Sequence, residues 1–162
     1  MLEIAKKDAE FLKSKVGKKT RVKYEDRDII GSLAHQIVEL KLEEFGLAFN
    51  SYREVKYEKG DITDIEYDGD SIDVKGTHGT LDQWFYNREF LVFQGQIDDE
   101  KNSVITHYAF VLIEPDFSWG YIFGVIEKTT FLEKSVPKKL LFDNQGIRAY
   151  QLKPFIEYVF RS

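Results

Sequence analysis

The spacing of apolar residues changes period along the chain, and the changes mark out the elements. Residues 28–45, DIIGSLAHQIVELKLEEF, place Ile30, Leu33, Ala34, Ile37, Leu40 and Leu42 on one broad helical face, and Gly46 is a natural stop. A shorter helix fits residues 2–15, where Leu2, Ala5, Ala9 and Leu12 fall near helical spacing. From residue 47 the period drops towards two. Leu47, Phe49, Tyr52, Val55 and Tyr57 predict a strand over 47–58. Residues 61–76, DITDIEYDGDSIDVKG, read as a hairpin turning at Asp68-Gly69. Further strands are predicted at 90–96, 107–114, 119–128 and 147–152. Helical turns are predicted at 129–134 and a short amphipathic end at 154–160. The run 107–114, HYAFVLIE, is apolar enough for a central strand.

A helix, a strand meander and then mixed elements predict an α/β (α+β) fold with a central mixed β-sheet flanked by helices. The 162 residues suit a single domain over 1–162, with a core at about 28–160 and a basic extension over 1–27. With 43% hydrophobic and 15% aromatic residues, the chain can fill a sizeable core. The absence of cysteine excludes disulfides, thiolate zinc sites and Cys nucleophiles. No apolar leader opens the sequence and no stretch is long enough to cross a bilayer, so a soluble cytoplasmic protein without a membrane partner is expected. The net charge of −5 does not itself point to nucleic acid. The basic run 13–23, which contains Lys18, Lys19, Arg21 and Lys23 and no acid, reads equally as a solvated face or as an arm contacting phosphates.

The hairpin holds the candidate chemistry. Alternate residues of a strand share a face, so Asp73 and Lys75 project together while Val74 points into the core. With a two-residue turn at Asp68-Gly69, Asp64 falls opposite Asp73 on the same face. Two carboxylates about 5 Å apart repel unless a cation lies between them. Hard oxygen donors without thiols favour Mg²⁺ or Mn²⁺. Such a centre suits phosphodiester hydrolysis, with Lys75 orienting or deprotonating the attacking water. Alternation of Asp and Lys on an exposed strand, and an acid-rich turn, also arise for purely local reasons.

The run Gly60-Asp61-Ile62, followed by Ile72-Asp73-Val74-Lys75-Gly76, resembles the PD-(D/E)XK nuclease superfamily, the restriction-endonuclease-like fold. That family places an Asp at the start of one strand and D/E-x-K on the next, after a helix that often supplies another acid. The resemblance implies Asp61, Asp73 and Lys75 as the catalytic group. It implies Asp61, Asp73, the Val74 carbonyl and Glu39 around a Mg²⁺ or Mn²⁺ ion. Gly31-Ser32-Leu33-Ala34-His35 is similar to the family's first-helix pattern, with His35 as in RecB-like members and Glu39 one turn on. Gly60 stands where the motif often has Pro, and Tyr86 comes one position early for the RecB-like Q-x-x-x-Y that would start at Gln83.

Pattern favours Asp61 as the first acid and hairpin register favours Asp64, unless a bulge or a bend at Thr63 intervenes. Gln94 and Gln96 stand as the polar residue near the site or as ordinary strand-surface amides. Trp84, Phe85 and Tyr86 are three consecutive aromatics that cannot all be buried on one face. The implied activity is metal-dependent hydrolysis of DNA, as an endonuclease, with a homodimer as the arrangement that would cut two strands. The rivals are a catalytically inactive nucleic-acid-binding or assembly module of the same fold, and a Holliday-junction-type resolvase.

Overall fold

In the computed structural model, residues 25–52, 63–140 and 142–161 are described. The predicted helix at 2–15, the basic residues Lys18, Lys19, Arg21 and Lys23, and Asp61 lie outside the described residues.

Helix α1 (Glu25–Glu44) is followed by β1 (Asn50–Ser51), β2 (Ile65–Tyr67) and β3 (Asp70–His78). Then come β4 (Glu89–Phe93), helix α2 (Gln94–Asp98), β5 (His107–Ile113) and β6 (Gly120–Glu127). Helix α3 (Lys128–Lys134), β7 (Val136–Lys139), β8 (Asp143–Arg148) and helix α4 (Phe155–Val159) complete the chain. The main sheet has the order β1-β2-β3-β5-β6, and β4-β8-β7 form a second, antiparallel sheet. Within the main sheet β3 and β5 are parallel and the other neighbours antiparallel, so the sheet is mixed as the sequence predicts.

Strand β5 has apolar side chains on both faces. Ala109, Val111 and Ile113 pack with Ile72 and Val74 against Ile30, Leu33, Ala34, Val38 and Leu42 of α1. Tyr108, Phe110 and Leu112 pack on the other side with Phe90, Val92 and Ile147 of the second sheet and Phe131 of α3. One strand therefore divides two cores, which is why its sequence reads as a continuous apolar run. The stripe on α1 uses Val38, whereas Leu40 is exposed.

The hairpin forms as its turn chemistry demands. Asp68 and Gly69 both have positive φ, 49° and 84°, between the paired residues Tyr67 and Asp70. Other boundaries differ from the sequence reading. Strand β4 ends at Phe93, and Gln94 and Gln96 lie on α2 rather than on a strand. Apolar alternation stops at Phe93, and Gln94 closes a helical turn by donating from Nε2 to Asp98 at 2.9 Å. The last strand ends at Arg148, and the predicted 147–152 segment turns into a 3₁₀ helix at Ala149–Gln151. Of the predicted strand 47–58, Asn50–Ser51 is a strand, and 53–58 lie outside the described residues.

Candidate functional site

Asp73 and Lys75 share a face of β3, as the alternation requires, and form an ion pair at 2.8 Å with side chains 14% and 20% exposed. Gln96, reaching over from α2, accepts a hydrogen bond from Lys75 Nζ at 3.0 Å. Lys75 therefore has two fixed partners in a half-buried setting. Tyr108 pairs with Asp73 in the parallel ladder. Burial first, and then the Asp73 carboxylate, push its phenol well up, so Tyr108 stays protonated through the physiological range.

The opposite face of the same strand meets α1. Here Glu39 accepts the Ser51 hydroxyl proton at 2.6 Å, which leaves the Ser51 oxygen to accept from His35 Nε2 at 2.9 Å. His35 Nε2 also lies 2.9 Å from Glu39, the neighbour four residues on. The other ring nitrogen faces Asp64, with Nδ1 3.8 Å from its carboxylate. His35 and Asp64 are both deeply buried. The second oxygen of Asp64 accepts the backbone N–H of Val74 at 2.7 Å.

This arrangement corrects one expectation. Asp64 does not lie beside Asp73 on one face. Its backbone N–H donates to the carbonyl of Ile72, the residue that pairs with Ile65. Two residues of the β2 side thus meet one on β3, which is a β-bulge, and the bulge resets the side-chain alternation. Asp64 turns to the α1 side and Asp73 to the side of the second sheet. The Asp64 carboxylate is thus the acceptor of the Val74 N–H on the β2 side of β3. The N–H and C=O of one strand residue point to the same edge, so the Val74 carbonyl faces the β2 side too.

The structure thus brings His35, Glu39 and Asp64 together on one side of Val74, and Asp73 with Lys75 on the other. Among the described residues no group of three or more His, Asp or Glu is close enough to hold a metal ion. Gln94 is not at the site: its side-chain amide oxygen accepts from Gln145 of the second sheet, and Gln96 is the amide that meets Lys75. Ser51 is a member that sequence reasoning missed. A serine in a short strand carries no signal until the helix and the strand are placed side by side.

Gly76 sets how closely α1 approaches. A Cβ at Gly76 would lie 2.8 Å from the carbonyl oxygen of Ile30 and 3.0 Å from Ala34. The glycine after Lys75 therefore lets the helix carrying His35 and Glu39 sit directly on the strand carrying Asp73 and Lys75. Among the described residues no helix is long and apolar enough to cross a membrane. No family model, curated protein or solved structure matches the chain.

Proposed function

We propose that the chain is a metal-dependent nuclease that hydrolyses DNA phosphodiester bonds, with an endonuclease as the favoured form. The observation that carries this reading is the meeting of three elements at the Val74 peptide. Helix α1 brings His35 and Glu39, the β2 edge brings Asp64, and β3 brings Asp73 and Lys75. An acid-bearing helix, an acid at a strand end and Asp-x-Lys on the next strand form the order that the PD-(D/E)XK resemblance implies. The mixed sheet with helical cover agrees with it.

The donor chemistry suits a hard divalent cation: carboxylates, a strand carbonyl and no thiol. Asp73, the Val74 carbonyl and Asp61 would hold Mg²⁺ or Mn²⁺, whereas Glu39 and Asp64 lie on the α1 side of β3, away from Asp73. The ion, when bound, would polarise the phosphate and lower the pKa of its water. Lys75 supplies a positioned cation beside Asp73, able to orient the attacking water. Gln96 fixes the Lys75 ammonium by accepting one of its protons. His35 and Ser51 hold the Glu39 carboxylate in place.

A second reading is a metal-free nucleic-acid-binding module. It is favoured by the opposite facing of Asp64 and Asp73 and by the lack of a three-residue metal group among the described residues. Calorimetric titration of Mn²⁺ into the parent and into Asp73→Ala separates the two, run beside cleavage of single-stranded, duplex and branched DNA. Metal binding and cleavage that both vanish in Asp73→Ala support the nuclease. A parent that binds no metal and cuts no DNA leaves the binding module. Preference for four-way junctions would make it a resolvase.

A further inference from the structure

A surface apart from the Asp73–Lys75 pair exposes aromatic rings in an unusual number. Phe85 and Tyr86 lie on the π-helical turn Gln83–Asn87 and are 50% and 71% exposed. Their rings meet edge to face at 4.9 Å. Phe85 lies 6.5 Å from the buried Phe123, which meets Tyr121 at 5.2 Å. A continuous run Tyr121–Phe123–Phe85–Tyr86 results, with all but Phe123 open to solvent. Tyr150 sits on the 3₁₀ turn that packs against the same π-helical turn, and is 81% exposed.

Charge selects among the partners this surface suits. Residues 83–88, 119–123 and 148–151 contribute two arginines and no acid to a chain whose net charge is −5. Arg88 lies over the Trp84 ring at 5.7 Å, and Arg148 donates to the Tyr86 carbonyl at 3.4 Å. The adjoining acids are Asp82, which precedes the turn, and Glu89, whose side chain is 11% exposed and is held by Lys138 and Arg148. Flat rings at the surface with guanidinium groups at Trp84 and at the Tyr86 backbone fit unpaired nucleobases joined by phosphates. Every base has a π-face, and each stacked base is stabilised appreciably on an aromatic platform.

We propose that Phe85, Tyr86, Tyr121 and Tyr150 form a stacking platform for unpaired bases of a nucleic acid, with Arg88 and Arg148 contacting its phosphates. The platform rests on the nuclease reading and narrows its substrate to DNA with a single-stranded stretch. Phe110, the β5 partner of Lys75, in turn pairs with Gly124 of β6, beside Phe123. The edge strand β6, which carries Tyr121, is therefore two strands, about 10 Å, from the strand of the reactive pair. A strand stacked on the rings stays within a few nucleotides of Lys75.

The test is fluorescence-anisotropy binding in EDTA, so that no cleavage occurs. The probes are an oligothymidylate of about 16 nucleotides, the same length of abasic strand, and duplex DNA. The thymidylate should bind at least about 10-fold tighter than the abasic strand, and Tyr86→Ala and Tyr150→Ala should each weaken it by about 5- to 100-fold. Both side chains are solvent-facing, so the variants should melt with the parent; Tyr86→Leu and Tyr150→Leu serve if they do not. Equal affinity for abasic and base-bearing strands would overturn the proposal, as would aromatic variants that bind like the parent. A loss confined to self-association, measured by light scattering, would make the surface a contact between copies and also overturn it. Base-dependent binding in a protein with no Lys75-dependent cleavage would remove the nuclease reading and leave the platform standing. Lys75-dependent cleavage with no base-dependent binding would do the reverse.

Discussion

The carboxylate of Asp64 accepts the backbone N–H of Val74 at 2.7 Å, and its other oxygen faces His35 at 3.8 Å. One buried side chain therefore satisfies a backbone donor of β3 and ties that strand to α1. Asp64→Ala would leave a buried N–H without its acceptor, which costs about 1–3 kcal/mol. Asp64→Asn keeps an acceptor oxygen and should lose less. Urea denaturation of the three proteins checks the order, and an unchanged midpoint in Asp64→Ala would sink the account.

The two glycines that frame the helix–strand contact should respond in opposite directions. Gly76→Ala drives a methyl against the Ile30 carbonyl at 2.8 Å, and overpacking of this kind costs about 1–3 kcal/mol. Gly31 lies in the same helix with nothing within 4 Å of its missing Cβ. Gly31→Ala should therefore stabilise by up to about 1 kcal/mol through helix propensity. Thermal melts of both variants decide. A destabilised Gly31→Ala would mean that the residue has a function beyond the helix backbone.

Gln96 and Gln94 are two residues apart and should differ in function. Gln96→Ala removes the amide that fixes Lys75, and one hydrogen bond of about 1 kcal/mol corresponds to roughly a 5-fold fall in kcat. Gln94→Ala should leave the rate unchanged, since that side chain joins Asp98 and Gln145. Lys75→Ala should lower cleavage by about 100-fold or more. Steady-state kinetics on the four proteins tests the assignment, and equal effects of the two glutamines would refute it.

Stability should fall on the acid side of neutrality through His107. Burial lowers its pKa below the usual 6.5. Asp70 and Glu127 oppose that shift, whereas Arg161 and Lys153 add to it. A depressed pKa means that the unfolded chain takes up the proton first. The contribution of His107 is therefore fully present above pH 6.5 and is lost as pH falls below that value towards its lower folded pKa. His107→Gln should flatten this part of the curve of denaturation midpoint against pH. A parent with the same midpoint on both sides of pH 6.5 would count against it.

Much of this architecture is legible in the residues themselves. Asp68-Gly69 specifies its turn, HYAFVLI specifies a strand buried on both faces, and the spacing from Ile30 to Leu42 specifies a helix on that sheet. Asp73 and Lys75 project together because β periodicity alone requires it. The position of Asp64 was not legible, because a bulge inserts one residue into the count and leaves no local composition mark. Gln96 rather than Gln94 reaches Lys75 for a related reason: the chain leaves strand geometry after Phe93, and period-two counting no longer tells which amide faces which way. Ser51 joins His35 and Glu39 only through a contact between distant segments. Strand β7 was missed, since Val136-Pro137-Lys138-Lys139 is exposed throughout and has a proline at an edge.

The parallel pairing of β3 with β5 bears on the order in which the molecule assembles. Between these neighbours the chain makes a crossover, residues 79–106, that includes β4 and α2. Strand β4 pairs with β8, well downstream in the sequence. Helix α1 and the hairpin pair locally and can form early, whereas the cover over Lys75 waits for contacts between distant segments, which are slow to close. A ribosome-bound chain that had emerged only through β3 would hold Asp73 and Lys75 without Gln96 or Tyr108. The chemistry proposed for that pair would thus arise only once β8 has been made, so a shorter nascent chain would carry the motif without its activity.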